Sequence, residues 1–179
     1  MLIGPMLGLA APLLPAQILW INMLTHGLPG VAIGAEPADP RAMRRGPRSP
    51  REQVLGAGLW QRVAWTGALI AAVTLAAALC IRATGGHWQT MAYVVLGMAQ
   101  LGVAIALRRP RPSGERRLRF LDVAVLGALV AQIGPLFVPP LRELLSLHAL
   151  SASELAVAAT FAILPGLIVA VRRRTRRQP

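Results

Sequence analysis

Apolar residues are distributed along the chain in five long runs separated by short polar segments. Each run approaches the roughly 20 residues that an α-helix needs to cross a bilayer. The runs predict spans at about residues 14–34, 59–81, 88–107, 118–137 and 154–171. Residues 1–13 are apolar but too short to cross, so we expect them to be the end of a truncated preceding helix. The predicted fold is all-α, a polytopic membrane helix bundle with five full spans, and residues 14–179 form one transmembrane domain.

Composition agrees with a membrane location. The chain of 179 residues is 55% hydrophobic and only 15% charged, whereas soluble domains are about 25% charged. A secretory signal peptide is the alternative interpretation of the apolar N-terminus, but it requires a basic segment before the apolar core. The opening residues Met1 to Pro5 contain no basic side chain. We therefore expect a multi-pass protein of the cell membrane.

Basic residues are concentrated in the segments between the apolar runs. All nineteen are Arg, and most lie in residues 41–51, 108–119 and 172–177. Arg82 stands at the end of the second span, the loop of residues 83–87 that follows carries no Arg, and the loop after the fourth span carries only Arg142. This alternation predicts that the Arg-rich loops and the C-terminus are cytoplasmic. A sequence pI near 12.0 could also suggest nucleic-acid binding, but the arginines flank apolar spans and no aromatic residues alternate with them, so no nucleic-acid partner is expected.

The first span contains unusual polar positions in the stretch WINMLTHGLPG, residues 20–30. Asn22, Thr25 and His26 have the i, i+3, i+4 spacing that places side chains on one helix face. Gly27 and Pro29 follow immediately and predict a helix break that exposes backbone carbonyls. Such a polar face beside a break can bind ions, as in discontinuous transport helices. It can equally hydrogen-bond to neighbouring helices, with the proline as a tolerated kink. The spacing alone leaves both interpretations open.

The other polar residues in or near the spans are weaker candidates for an ion site. Gln100 and Gln132 are more simply explained as amides that pack between helices. The three histidines, His26, His87 and His148, lie in different segments, so we expect no structural zinc site.

Two absences in the sequence restrict the chemistry. Cys80 is the single cysteine, so no disulfide or thiolate cluster forms within the chain. No Lys is present, which excludes a Walker A loop and a Schiff-base lysine. No polar segment is long enough for a globular catalytic domain. We expect the chain alone to bind no cofactor and to hydrolyse no ATP.

The stretch LLPAQILWINMLTHGLPG, residues 13–30, resembles the sixth transmembrane helix of calcium-pump-like (type II) P-type ATPases. That family has the pattern Pro-x-Gln-x-x-Trp-x-Asn-x-x-Thr-Asp-Gly-x-Pro. Segments EPADP, RRGPRSPRE and FVPPL follow in the family's order, and the resemblance extends from about residue 5 to residue 172. It implies that the five spans are helices six to ten of a pump. The actuator, phosphorylation and nucleotide-binding domains precede this region in the family.

The resemblance also suggests site residues. Asn22 and Thr25 match two ion-coordinating residues, His26 stands where the family has Asp, and Gln100 stands where animal calcium pumps have Glu. Both departures remove a carboxylate, and no Asp or Glu lies in the middle of a span. Calcium prefers six to eight oxygen ligands that include carboxylates. A proton, a monovalent ion or a metal that accepts imidazole nitrogen is therefore favoured, and the metal stays unknown.

The expected function is that of a membrane-domain fragment of an ATP-driven, cation-translocating P-type ATPase, contributing part of the ion pathway. Its partners would be the lipid bilayer, the transported cation and the missing N-terminal part of the pump, including the fourth and fifth helices. ATP and Mg are expected for the full-length pump. One alternative is a non-catalytic multi-pass scaffold or partner subunit produced by a truncated gene. Another is an unrelated small transporter, which would show an inverted repeat; none is evident in the sequence.

Overall fold

The computed structural model describes residues 11–35, 58–107 and 120–175, which form helices joined by turns and contain no strand. The Arg-rich segments 41–51 and 108–119, and most of the predicted truncated helix 1–13, lie outside these residues. The description of the C-terminal tail ends at Thr175.

The first predicted span is one helical segment with an irregular centre. It consists of α1 (Pro15–Asn22), a π-helical turn (Met23–Gly27) and α2 (Leu28–Gly34). Near the predicted break at Gly27 and Pro29, the chain forms a π-helical turn that ends at Gly27 and then continues as α-helix through Pro29. Pro29 occupies the first turn of α2, where a missing N–H is tolerated.

The second and third spans form an antiparallel pair. Helix α3 (Leu59–Ala83) and helix α4 (Trp88–Leu107) lie close to the predicted ranges. The turn that joins them contains Gly85 with a φ of +76°, a left-handed conformation that glycine adopts without steric cost.

The fourth span is shorter than predicted. Helix α5 (Phe120–Ile133) passes into a 3₁₀ turn, Gly134–Leu136. Pro135 has no N–H to donate to the carbonyl four residues before it, so the α-helical hydrogen bonding ends here. A short helix, α6 (Pro139–Leu144), follows and leads to the last helix, α7 (Ala152–Thr175).

Helix α7 begins with a capping box. The Ser151 N–H donates to Oε2 of Glu154 at 2.8 Å, and the Glu154 N–H donates to Oγ of Ser151 at 3.3 Å. These two reciprocal bonds satisfy backbone donors that the first turn of a helix leaves without partners.

Helix α4 is the centre of the bundle. It contacts α7 most extensively, and it also contacts α3 and α5. Small residues allow the α4 and α7 backbones to approach closely: a Cβ on Gly166 would lie 3.1 Å from the Gly102 carbonyl oxygen. Along α7, the buried Ala158 and Ala162 precede Gly166 at four-residue spacing on the same face.

Three helices of the described ranges are long and apolar enough to cross a membrane, namely Leu59–Ala83, Trp88–Leu107 and Ala152–Arg173. The apolar segment Phe120–Leu136 is shorter. The prediction of an all-α membrane helix bundle is confirmed. The count of five full spans stays a prediction.

Candidate functional site

Two side chains hold the first helical segment in the bundle. The Gln17 amide is buried, and its Nε2 donates to the Leu145 carbonyl at 2.9 Å while its Oε1 accepts the Leu14 N–H at 3.0 Å. The indole Nε1 of Trp20 donates to the Ala131 carbonyl at 3.2 Å. That carbonyl is the one that Pro135 leaves without its usual helical donor. Gln17 and Trp20 therefore fix one face of the helix against the rest of the chain.

The predicted polar residues lie around the next turn and differ in their surroundings. Asn22 and His26 are exposed, while Thr25 is half-buried. The Thr25 hydroxyl donates to the Ile21 carbonyl of its own helix at 2.8 Å. Within the described ranges, the Asn22 and His26 side chains make no hydrogen bond. The structure thus places all three at one turn, but it does not join them in a hydrogen-bonded network.

The π-helical turn Met23–Gly27 contains Thr25 and His26 and directly follows Asn22. Single π turns inside α-helices are rare and occur frequently at functional sites, because they shift side chains and change the backbone hydrogen bonding. Pro29 adds to this effect, since one carbonyl of the preceding turn receives no backbone donor from residue 29. The sequence indicates an irregularity through Gly27 and Pro29, but not its π-helical form.

Gln100 lies on α4, and α4 contacts the π-helical turn. Its side chain is half-buried, and its Oε1 is buried without a hydrogen-bond partner among the described residues. A buried amide oxygen without a donor costs about 1–3 kcal/mol. Oε1 of Gln132 is likewise buried without a partner in the described part of the chain, so this feature alone does not distinguish a ligand from a packing amide.

Gln132 has the packing role predicted for it. Its Nε2 donates to the Tyr93 carbonyl at 3.1 Å, and the Tyr93 hydroxyl donates to the Gln132 carbonyl at 3.3 Å. Gly97, one turn after Tyr93 on α4, makes room for the amide, because a Cβ there would lie 2.2 Å from Nε2. The pair joins α4 to α5.

Two of the three histidines, although they lie in different segments of the sequence, meet in the structure. The rings of His87 and His148 stack with centroids 3.9 Å apart and an interplanar angle of 7°. The turn after α3 and the segment after α6 meet here, and the His148 N–H donates to the Thr90 hydroxyl at 3.0 Å. Among the described residues, no three His, Cys, Asp or Glu side chains form a metal-binding group. No local sequence signal predicts the stacking, which depends on how α3, α4 and α7 pack.

The electrostatic character of the site follows from its donor atoms. Asn22 and Gln100 offer amide oxygens, Thr25 a hydroxyl oxygen and His26 an imidazole nitrogen. None of these is negatively charged at neutral pH. The acidic residues of the described ranges are Asp122 and Glu154, each in the first turn of its helix, and Glu143 in the short helix α6. The chain can therefore contribute polar ligands to a cation but no carboxylate from the centre of a span.

Comparison with known proteins gives the family. A family model described as "Cation transporting ATPase, C-terminus" matches residues 10–175. A calcium-transporting ATPase of Bacillus subtilis (strain 168) is 30% identical over 186 residues, covering 99% of this chain and 21% of the relative. The calcium-transporting ATPase type 2C member 2 of Mus musculus is 33% identical over 156 residues, covering 83% of this chain and 16% of the relative.

The chain thus spans about a fifth of the length of the curated relatives it matches. The matches do not favour the alternatives of a scaffold or an unrelated small transporter. The chain belongs to the family of cation-transporting ATPases and corresponds to the C-terminal membrane region of a type II cation pump.

Proposed function

We propose that this chain forms part of the ion pathway of an ATP-driven cation pump, with Asn22, Thr25, His26 and Gln100 at the pathway. One observation carries the proposal: at a π-helical turn, the Asn22 amide and the His26 imidazole are exposed and make no hydrogen bond to the described part of the chain. Both lie in the middle of an otherwise apolar helix.

In a bilayer, exposed polar side chains such as Asn22 and His26 need partners. Polar groups that face hydrocarbon without partners cost several kcal/mol each. Asn22 and His26 receive no partner from the described part of the chain. The rest of the pump, with its fourth and fifth helices, is therefore the expected source of the groups that cover them. Gln17 and Trp20 of the same helix differ from them, because each donates a hydrogen bond to a backbone carbonyl elsewhere in this chain.

The donor set suggests which cations suit this part of the pathway. The Thr25 hydroxyl donates its proton to Ile21, so its oxygen lone pairs are available to a cation. Neutral oxygen and nitrogen donors alone do not balance a divalent charge, and calcium would need carboxylates from elsewhere in the pump. The relatives are named as calcium-transporting. For this chain, we infer a proton, a monovalent ion or a metal that accepts imidazole nitrogen.

The nucleotide chemistry of the pump would take place outside this chain. ATP and Mg would act on the cytoplasmic domains that precede this region in the family. The Arg-rich loops and the C-terminus would face the same cytoplasmic side.

The test is a chimaera in which residues 14–179 replace the corresponding region of the Bacillus subtilis relative. ATP-driven uptake of calcium, of monovalent cations and of protons is measured in inverted vesicles. Asn22→Ala and His26→Ala should weaken the apparent ion affinity about tenfold, the effect of losing about 1.4 kcal/mol. His26→Asp should shift preference towards divalent ions. Leu19→Ala, at an exposed apolar position of the same helix, is the matched control and should change little.

The pH dependence separates a ligand from a packing residue. Imidazole side chains gain a proton near neutral pH, and a protonated ring would repel a cation. His26→Ala should therefore flatten the pH profile of transport. If the Asn22 and His26 variants transport the native ion with unchanged affinity and pH dependence, both are packing residues and the proposal fails.

A further inference from the structure

A cleft of about 470 Å³ opens at the Arg-rich end of the bundle, away from the polar turn. It lies between the start of α3 and the ends of α4 and α7. Its volume falls within the range of roughly 300–1,000 Å³ that is typical of small-ligand sites. No function described above uses this cleft.

The cleft is cationic and partly aromatic. Arg62 and Trp65 line it from α3, and Arg172 and Arg173 line it from α7. The Arg172 guanidinium lies over the Trp65 ring, 5.3 Å from the ring centroid, within the range of a cation–π interaction. Arg173 donates from Nη1 to the Ala106 carbonyl at the end of α4, at 3.1 Å. Two contacts therefore hold the α7 arginines in place between the other two helices.

Basic side chains predominate over acidic ones in the described part of the cleft. Three of its described lining residues are arginines and none is acidic. Leu107 and Val169 supply apolar walls. A site with fixed guanidinium groups, an interfacial tryptophan and apolar walls matches a ligand that joins an anionic head to a hydrocarbon tail.

The position in the membrane favours the same ligand. The cleft lies where three spans end and Arg residues begin, which is the level of lipid headgroups. Arginine forks match phosphate oxygens in geometry and charge. Basic pockets between transmembrane helices are suited to anionic headgroups. We propose that this cleft binds the phosphate headgroup of an anionic phospholipid, with Arg62 and Arg172 as the phosphate contacts and Trp65 positioning Arg172.

The test uses the full 179-residue chain, purified in a neutral detergent and titrated with phospholipid in native mass spectrometry. Phosphatidylglycerol and phosphatidylcholine with identical acyl chains are compared, because they differ in net headgroup charge. Phosphatidylglycerol should bind more tightly. R62Q and R172Q should each weaken its binding about fivefold, as expected for one cation at a membrane surface.

Matched variants separate the cleft from general attraction. R82Q removes the same charge from an exposed position in the last turn of α3, at the other end of the helix, and should leave phosphatidylglycerol binding unchanged. W65F should retain binding because it keeps an aromatic face, whereas W65A should weaken it. Circular dichroism confirms that each variant remains helical.

Three results would overturn the proposal. Equal weakening by R82Q would show that the lipid is attracted by net charge and not by this cleft. Unchanged binding in both R62Q and R172Q would exclude these arginines as contacts. Displacement of the lipid by inorganic phosphate at comparable concentration would identify the ligand as free phosphate and not as a phospholipid.

Discussion

Gly97→Ala is expected to disrupt the contact between α4 and α5. A Cβ at this position would lie 2.2 Å from Nε2 and 2.3 Å from Cδ of Gln132, a side chain that is fully buried. Since non-bonded carbon atoms prefer about 3.5 Å or more, the amide would have to move by about 1 Å. That displacement breaks its hydrogen bond to the Tyr93 carbonyl, which is 3.1 Å long.

The expected loss of stability combines three terms. Losing the hydrogen bond costs about 1 kcal/mol, and forcing a methyl group into a packed interface costs about 1–3 kcal/mol. Replacing glycine by alanine in a helix returns about 1 kcal/mol. The net destabilisation is therefore about 1–3 kcal/mol. Gly127→Ala on α5 is the control, because no atom of the described residues lies within 4 Å of its added Cβ. It should be neutral or slightly stabilising.

The assay is reversible unfolding of the purified chain in mixed neutral and anionic detergent micelles, followed by circular dichroism. A double-mutant cycle with Gln132→Ala tests the cause, because removing the amide gives the new methyl group space. The double variant should be at least about 1 kcal/mol more stable than the sum of the single effects predicts. Equal stability of the Gly97 and Gly127 variants, or strict additivity in the cycle, would refute the reasoning.

Four further outcomes are expected. Gly166→Ile should destabilise the chain by about 1–3 kcal/mol in the same unfolding assay, because even a Cβ there would lie 3.1 Å from the Gly102 carbonyl oxygen; a neutral effect would show that α4 and α7 separate easily. Trp20→Phe should cost about 1 kcal/mol by leaving the Ala131 carbonyl without a donor, and unchanged stability would argue against that bond. In a Cys80→Ala background, an impermeant thiol reagent added outside cells should label Thr84→Cys but not Arg48→Cys; the reverse pattern would invert the proposed topology. The purified chain should release no phosphate from ATP, and release that persists after removal of contaminating pumps would contradict this.

The helical spans were predictable from the sequence because each depends on a local property. Apolar runs of sufficient length give α3 and α4 close to their observed bounds. The shortening of α5 also has a local signal, Gly134 followed by Pro135, although the apolar pattern continues to Phe137. Pro139 marks the start of α6 and not the end of the span.

The details of the site were less predictable because they depend on packing. A π turn differs from an α turn in its backbone hydrogen bonding, which the residue types do not specify, so Gly27 and Pro29 indicated an irregularity but not its form. The stacking of His87 on His148 joins turns that are 61 positions apart in the chain. The unpartnered oxygen of Gln100 depends on which neighbours α4 has, and its sequence surroundings do not differ from those of a packing amide.

The hydrogen-bond partners of the polar groups bear on the two interpretations that the spacing left open. Gln17, Trp20 and Gln132 lie in or near apolar spans, and each donates a hydrogen bond to a carbonyl of a different element of this chain. Each of these three side chains thus has at least one partner within the chain, although Oε1 of Gln132 has none among the described residues. Asn22 and His26 belong to the same helix as Gln17 and Trp20, yet they have no partner among the described residues. Since a bilayer supplies none, we propose that other helices of the pump or the transported ion supply them. The helix therefore has an anchored face and an open polar face, and the π turn lies where the open face carries its polar groups.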